Sequence, residues 1–203
     1  MKINIIGDGS FGTFLKGLLS PLFELSADAD SVILAVPISA YESLASANAD
    51  KHLINVCSVQ LPSTELILKY TENVTCIHPL FGSRTPADKR NAIVSRTIAA
   101  HNSDSEFTRD EKEFLDGFAQ VSTLLYTDHK GETFTPDTHD RLMARTHAAA
   151  IVAAKQMKVF VERADDIPDE LLPNSFRLMR DFVKTLDDMP QGTIESIMAN
   201  PYF

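Results

Sequence analysis

The stretch "IIGDGSFGTF" (Ile5–Phe14) governs the reading of everything after it. A β-branched run ends at Gly7, and Gly9 and Gly12 complete the spacing G-x-G-x-x-G at the mouth of an apolar helical segment. Strand, glycine turn and helix in that order form the phosphate end of a dinucleotide site. The first glycine permits the turn, the second lets a pyrophosphate approach the backbone, and the third lets helix and strand pack closely. Amides at the helix start then face the anion. Gly7, Asp8, Gly9, Ser10, Phe11 and Gly12 are therefore the candidate cofactor-binding residues. A turn kept only for packing would read the same way.

Downstream, short β-branched runs alternate with helical stretches, the pattern of a parallel sheet covered by helices. Strands are expected at 2–6, 32–36, 52–56, 74–77, 92–99 and 122–126, and helices at 11–19, 40–47, 63–70 and 108–119. The distance from the glycine turn to the next confident strand is short, because only eighteen residues separate Gly12 from Ser31. If Leu22–Leu25 were a strand, about five residues would remain before the next, whereas a parallel crossover takes about ten to twelve. One strand is therefore expected to be absent, or antiparallel at the edge, and the layer that normally lies under an adenosine to be deleted. Glu24 and Asp28 are the nearby acids, and neither sits at a clear strand end.

Of the 203 residues 44% are apolar, enough for a real core. A net charge of −9 argues against nucleic-acid or anionic-membrane partners, which need a basic face. Cys57 and Cys76 sit in apolar runs, where cysteine behaves as a small buried hydrophobe, and are read as reduced thiols. The opening "MKINII" reads as a strand rather than a leader, and no apolar run approaches the roughly 20 residues of a membrane span, so a cytoplasmic location is expected. No H-x-x-x-H or C-x-x-C spacing suggests a metal, and no G-x-S-x-G suggests a serine hydrolase.

Composition changes at "TDHKGETFTPD" (Thr127–Asp137), which places a boundary between 131 and 132. Thr135 and Pro136 suit the cap and first turn of a long helix. His139–Asp140 falls in that first turn, where an acid favours the helix dipole. Two further helices are expected at 168–186 and 193–199. Some seventy residues are few for an independent core, so this part is expected to complete itself against the sheet domain or a second subunit.

Three strand ends carry polar turns: "ADSVILAVPISAYESL" (Ala29–Leu44), "LINVCSVQ" (Leu53–Gln60) and "CIHPLFGSRTP" (Cys76–Pro86). In a parallel sheet such turns gather on one edge, where ligands bind. With "THDRLMARTHA" (Thr138–Ala148) and "FRLMRDFV…IESIMANPY" toward the end, this ordered set resembles the prephenate/arogenate dehydrogenase family. The resemblance implies an α/β fold: a shortened Rossmann-like domain (1–131) followed by a small helical domain (132–203) that forms a homodimer. It implies NAD or NADP as cofactor and oxidative decarboxylation of a small anionic substrate, prephenate or arogenate, in tyrosine biosynthesis. By motif position His78 would accept a hydrogen bond from the substrate hydroxyl, Ser58 would help hold it, and Val36–Pro37 would line the nicotinamide side. Gln60 stands where the family has a basic residue after "SV", and "HAAAI" (His147–Ile151) where it has "SHLPH". Near Thr185, where the family has a substrate-carboxylate arginine, the available cations are Lys184 beside it and Arg180 and Arg177 one and two turns back, with Arg84 approaching from another direction and His147 as a further cleft residue. These departures suit a second reading, a non-catalytic relative that binds a small ligand or regulates without using a dinucleotide.

Overall fold

A computed structural model describes residues 1–97, 107–187 and 189–203. The chain divides into two compact units, Met1–Asp140 and Arg141–Phe203. The first is built on a seven-stranded sheet of order β2-β1-β3-β4-β5-β6-β7. In chain order its elements are β1 (Lys2–Ile6), α1 (Ser10–Leu19), β2 (Glu24–Leu25), β3 (Ser31–Leu34), α2 (Tyr41–Ala47), β4 (His52–Asn55), α3 (Gln60–Leu68), β5 (Val74–Pro79), β6 (Asn91–Ser95), α4 (Arg109–Phe118) and β7 (Thr123–Leu125).

Side-chain alternation on the central strands supplies two apolar faces. On one, Ile3, Ile5, Ile33, Ile54 and Ile77 meet Leu15 and Leu19 of α1 and Phe114 and Phe118 of α4. On the other, Val32, Leu34, Leu53, Val74 and Cys76 meet Tyr41 and Ala45 of α2 and Ile67 of α3. Each such side chain contributes about 1.5–3 kcal/mol by burial. Strands β3, β4 and β5 are buried along their whole length, as parallel strands covered on both faces should be. In β1 only Ile3 and Ile5 are buried; Lys2 is exposed and Asn4 half-buried.

Two features of the sheet correct the sequence expectation. The strand expected to be absent or antiparallel is present and parallel: β2 pairs Lys2 with Glu24 and Ile3 with Leu25. What is missing is the helix of the crossover. Residues 26–30 alone carry the chain from β2 past β1 to β3, held by Ser26 N donating to Ile3 O (3.0 Å) and Ala29 N to Ser26 O (3.3 Å). A two-residue strand leaves no periodicity to read. The sheet is also not parallel throughout, since β6 runs antiparallel to β5 and β7 is parallel to β6. Within residues 80–90 the connection holds only the short 3₁₀ turn Ala87–Lys89, so no crossover helix reverses the chain and the return is antiparallel. β6 ends at Ser95, and the remainder of the expected 92–99 strand falls partly outside the described residues.

Helix α4 begins with a reciprocal cap. Thr108 Oγ1 accepts from Glu111 N (3.2 Å), and Glu111 Oε2 accepts from Thr108 N (2.8 Å). Beyond the sheet, Thr135 caps α5 (Pro136–Met143) by accepting from Thr138 N at 3.2 Å, as its sequence predicts. The first turn of α5 belongs to the sheet unit through His139 and Asp140, which is why the chain divides later than the composition change at 131/132.

In the second unit, a π turn (Ala144–Ala148) leads into α6 (Ala149–Glu162), followed by α7 (Asn174–Asp187) and α8 (Gln191–Met198). At the π turn the Thr146 hydroxyl donates to Leu142 O at 2.8 Å, the side-chain competition that accompanies distortion of a helical ladder. Ala148, Ile151 and Ala154 pack with Leu186, Ile194 and Ile197. Lys158 pairs with Asp187 (2.5 Å), and the Arg141 guanidinium lies 4.1 Å from the ring centre of Tyr202. No helix among the described residues is long and apolar enough to cross a membrane.

Candidate active site

Strand register defines the edge on which the site is built. Ile6, Leu34, Asn55 and Cys76 form one row across β1, β3, β4 and β5. One to three residues past that row stand Gly7, Val36–Pro37, Ser58 and His78, so topology brings all four sequence-predicted segments to the carboxyl edge. Ser58 is half-buried in its turn, Val36 is half-buried and Pro37 exposed.

The three glycines separate into two kinds. Gly7 has φ +133°, and a Cβ there would lie 2.1 Å from Ala35 O, so β3 packs against a position only glycine can fill. A Cβ on Gly12 would lie 2.3 Å from Gly7 O. On Gly9 it would meet nothing within 4 Å. Packing thus explains two glycines and leaves open space beside the middle one. Helix α1 starts at Ser10 with no side-chain cap and no acid in its first turn, and its first backbone bond of this kind runs from Thr13 N to Gly9 O (2.9 Å). The preceding amides are suited to an anion. Asp8, in the turn, is paired with Lys16 (2.6 Å), which holds its carboxyl below the usual range.

The turn between β4 and α3 is fixed from beneath by Asn55, which is fully buried. Its Oδ1 accepts from Cys57 N (3.0 Å) and from the Tyr41 hydroxyl (3.0 Å), and its Nδ2 donates to Ser63 Oγ (2.8 Å) and Thr64 Oγ1 (3.1 Å). One amide side chain therefore ties the strand end, the Ser58 turn and the first turns of α3 together. Burial pushes the Tyr41 phenol well up and the Cys76 thiol to about 12, so both are neutral packing groups. Cys57 and Cys76 are both buried and form no disulfide.

His78, His139 and Asp140 form a buried hydrogen-bonded line. His78 Nδ1 lies 2.9 Å from His139 Nε2, and His139 Nδ1 lies 2.8 Å from Asp140 Oδ1. All three are nearly or fully inaccessible. Asp140 also receives Gln60 N on Oδ1 (2.7 Å) and Leu61 N on Oδ2 (2.8 Å), capping α3 from a distant part of the chain. The expectation that Asp140 serves the first turn of its own helix is thus corrected: its carboxylate sits at the N-terminus of another helix, where the dipole also favours it.

With His139 neutral, the line assigns the proton positions. A carboxylate only accepts, so His139 must donate from Nδ1; a neutral His139 then accepts at Nε2, and His78 must donate from Nδ1. His78 Nε2 is left as the lone-pair nitrogen.

Gln60, in the place of the family's basic residue, is also buried. Its Nε2 donates to Cys57 O (2.8 Å), while its Oε1 has no hydrogen-bond partner. A charged side chain here would be enclosed, and glutamine instead clamps the turn. His52, which has no motif partner in the sequence, is bonded in a cross-strand row: Nδ1 to Ser31 Oγ (3.1 Å) and Nε2 to Thr75 Oγ1 (2.8 Å).

Arg84 is exposed on the loop after β5. Arg177, Lys184 and His147 belong to the helical unit. Arg177 donates from Nε (3.1 Å) and one terminal nitrogen (2.8 Å) to Leu172 O, Lys184 is exposed in the last turn of α7, and His147 is half-buried in the π turn. The π turn is a further sign of function that the sequence reading did not contain, because such bulges concentrate at functional sites.

No family model matches the sequence, and no curated protein matches it. Solved structures do. A candidate prephenate dehydrogenase from Corynebacterium glutamicum superimposes with TM-score 0.69 at 15% identity, over 99% of this chain and 75% of that one. The prephenate dehydrogenase of Aquifex aeolicus gives 0.58 at 12%, over 97% and 86%. The arogenate dehydrogenase of Synechocystis gives 0.56 at 17%, over 98% and 84%. Over nearly its whole length, the chain carries the fold of the prephenate and arogenate dehydrogenases.

Proposed function

We propose that the protein is a nicotinamide-dependent dehydrogenase that oxidises and decarboxylates prephenate or arogenate in the formation of tyrosine. The observation that carries this reading is the buried line His78–His139–Asp140 at the carboxyl edge of the sheet, a tautomer of which leaves the His78 lone pair on Nε2. Gly7, Asp8, Gly9, Ser10, Phe11 and Gly12 would hold the cofactor phosphate, and Val36–Pro37 would border its nicotinamide. When bound, NAD or NADP supplies the hydride acceptor.

His78 Nε2 accepts the hydrogen bond of the substrate hydroxyl and orients it. As the carbon–oxygen bond becomes a carbonyl, the hydroxyl proton moves to Nε2, and the charge gained by the two imidazoles is balanced by Asp140. Ser58 helps hold the substrate beside His78. Loss of the ring carboxylate as carbon dioxide then leaves an aromatic ring. A dianionic substrate requires cations; Arg84 is the candidate in the sheet unit, and Arg177, Lys184 and His147 are the candidates that the sequence offers in the helical unit. A homodimer through the helical unit would cover Phe160, Leu171 and Leu178, which are 57%, 71% and 62% exposed. Light scattering would return twice the chain mass.

The test is appearance of reduced nicotinamide when NAD or NADP is mixed with prephenate or arogenate. Turnover should fall about 10²–10⁴-fold in His78→Asn and by a similar factor in Asp140→Asn, which imposes the wrong His139 tautomer. Absence of turnover with every pairing would overturn the reading. The early end of β2 favours one alternative, a non-catalytic module, which would bind prephenate without turning it over.

A further inference from the structure

We infer that the carboxyl edge recognises only the nicotinamide mononucleotide half of its cofactor, so that the adenosine half adds almost nothing to binding. The inference rests on the proposed function and concerns which part of the cofactor the chain contacts.

In a two-strand dinucleotide site, the residue at the end of the second strand takes the adenosine ribose at the level of the glycine turn. Here β2 ends with Leu25 opposite Ile3, four residues before Gly7. At about 3.3 Å per residue, that places its end about 13 Å below the turn. The chain then turns away. Ser26 N donates to Ile3 O, Ala29 N donates to Ser26 O, Ala29 is buried, and Ser31 is paired with Ile3 on the other side of β1. The acids of this segment stand at the other end of β1: Glu24 lies opposite Lys2, the first residue of β1, and is bonded to it at 3.1 Å, while Asp28 and Asp30 line a pocket with Met1 and Lys2.

The phosphate end is complete by contrast. Gly9 leaves open the space a Cβ would take, and the uncapped start of α1 points amides at it. Lys16 offsets the charge of Asp8 in the same turn. On the far side, Val36–Pro37, Ser58 and His78 line up past one row of the sheet. Phosphate and nicotinamide positions are built, and the adenosine position has no residue of this segment beside it.

Calorimetric titration of the folded, full-length protein with NAD, NADP, nicotinamide mononucleotide and AMP tests this directly. The dissociation constants of the mononucleotide, NAD and NADP should agree within about threefold, with AMP at least about tenfold weaker. NADP should not be distinguished from NAD, because its extra phosphate is on the unsupported ribose. Gly9→Val, which fills the open space, should weaken the mononucleotide and NAD by the same factor, about tenfold or more, while the variant still unfolds in one cooperative transition. NAD binding about thirtyfold or more tighter than the mononucleotide would overturn the inference and leave the dehydrogenase reading standing. Binding of none of the nicotinamide ligands would overturn both.

Discussion

The carboxyl edge of the sheet is built to different standards on the two sides of β1. Toward β3, β4 and β5, every strand is buried on both faces, and the turns are braced by Asn55, Gln60 and Asp140. Toward β2, a two-residue strand and a five-residue crossover replace a strand–helix unit, and half of β1 lacks full cover. Polar groups on the braced side are buried, so each must be satisfied, and satisfying them fixes geometry. On the thin side they remain in water and fix little. One sheet edge thus joins a braced inner side to a thin outer one.

Substitutions on the two sides of β1 should differ in the size of their effects. Gly7→Ala, at the seam, should have the largest effect. Its Cβ would collide with Ala35 O at a positive φ, and the loss should be about 3 kcal/mol or more in chemical denaturation. Asn55→Ala on the braced side should cost about 2–4 kcal/mol, because Cys57 N loses its side-chain acceptor and Ser63 and Thr64 lose a donor in a buried place, while the Tyr41 hydroxyl keeps only Leu34 O.

His52 should give a smaller, pH-dependent effect. Burial lowers its folded-state pKa, only partly opposed by Glu111 and Asp110, so below about 6.5 the unfolded chain binds the extra proton. Stability is therefore complete above that pH and is lost as pH falls through the lowered value. His52→Asn should flatten this part of the profile; an unchanged slope would remove His52 as its source. Smallest of all should be Lys2→Ala on the thin side. Its ion pair with Glu24 is exposed at both ends, and the change should stay within about 0.5 kcal/mol. A loss as large as that of Asn55→Ala would erase the contrast.

Much of the fold was legible because it rests on local signals. The glycine spacing located β1 and α1, β-branched runs located the central strands, and Thr108 and Thr135 marked two helix starts. The count of residues between Gly12 and Ser31 exposed a deficit, yet it could not say whether strand or helix was lost, since two residues of β2 carry no pattern. The candidate site was half legible. His78 and Ser58 were found by motif order, and Asp140 was misplaced because its partners Gln60 and Leu61 lie far back in the chain, while a local reading sees only an acid in a first helical turn. The adjacent His139–Asp140 pair was the available signal, and its meaning depended on a contact with His78 that no spacing encodes. The π turn escaped because it differs from the α-helix around it by a single residue in period.

Whether Asp140 sets His78 as a base through His139 can be read from nitrogen-15 NMR of the histidine rings near neutral pH. His139 and His78 should both carry their proton on Nδ1, with an unprotonated Nε2, and Asp140→Asn should disturb the tautomer of both rings. His78 protonated on Nε2 in the wild-type protein would contradict this role, because that nitrogen could then not accept the substrate's proton.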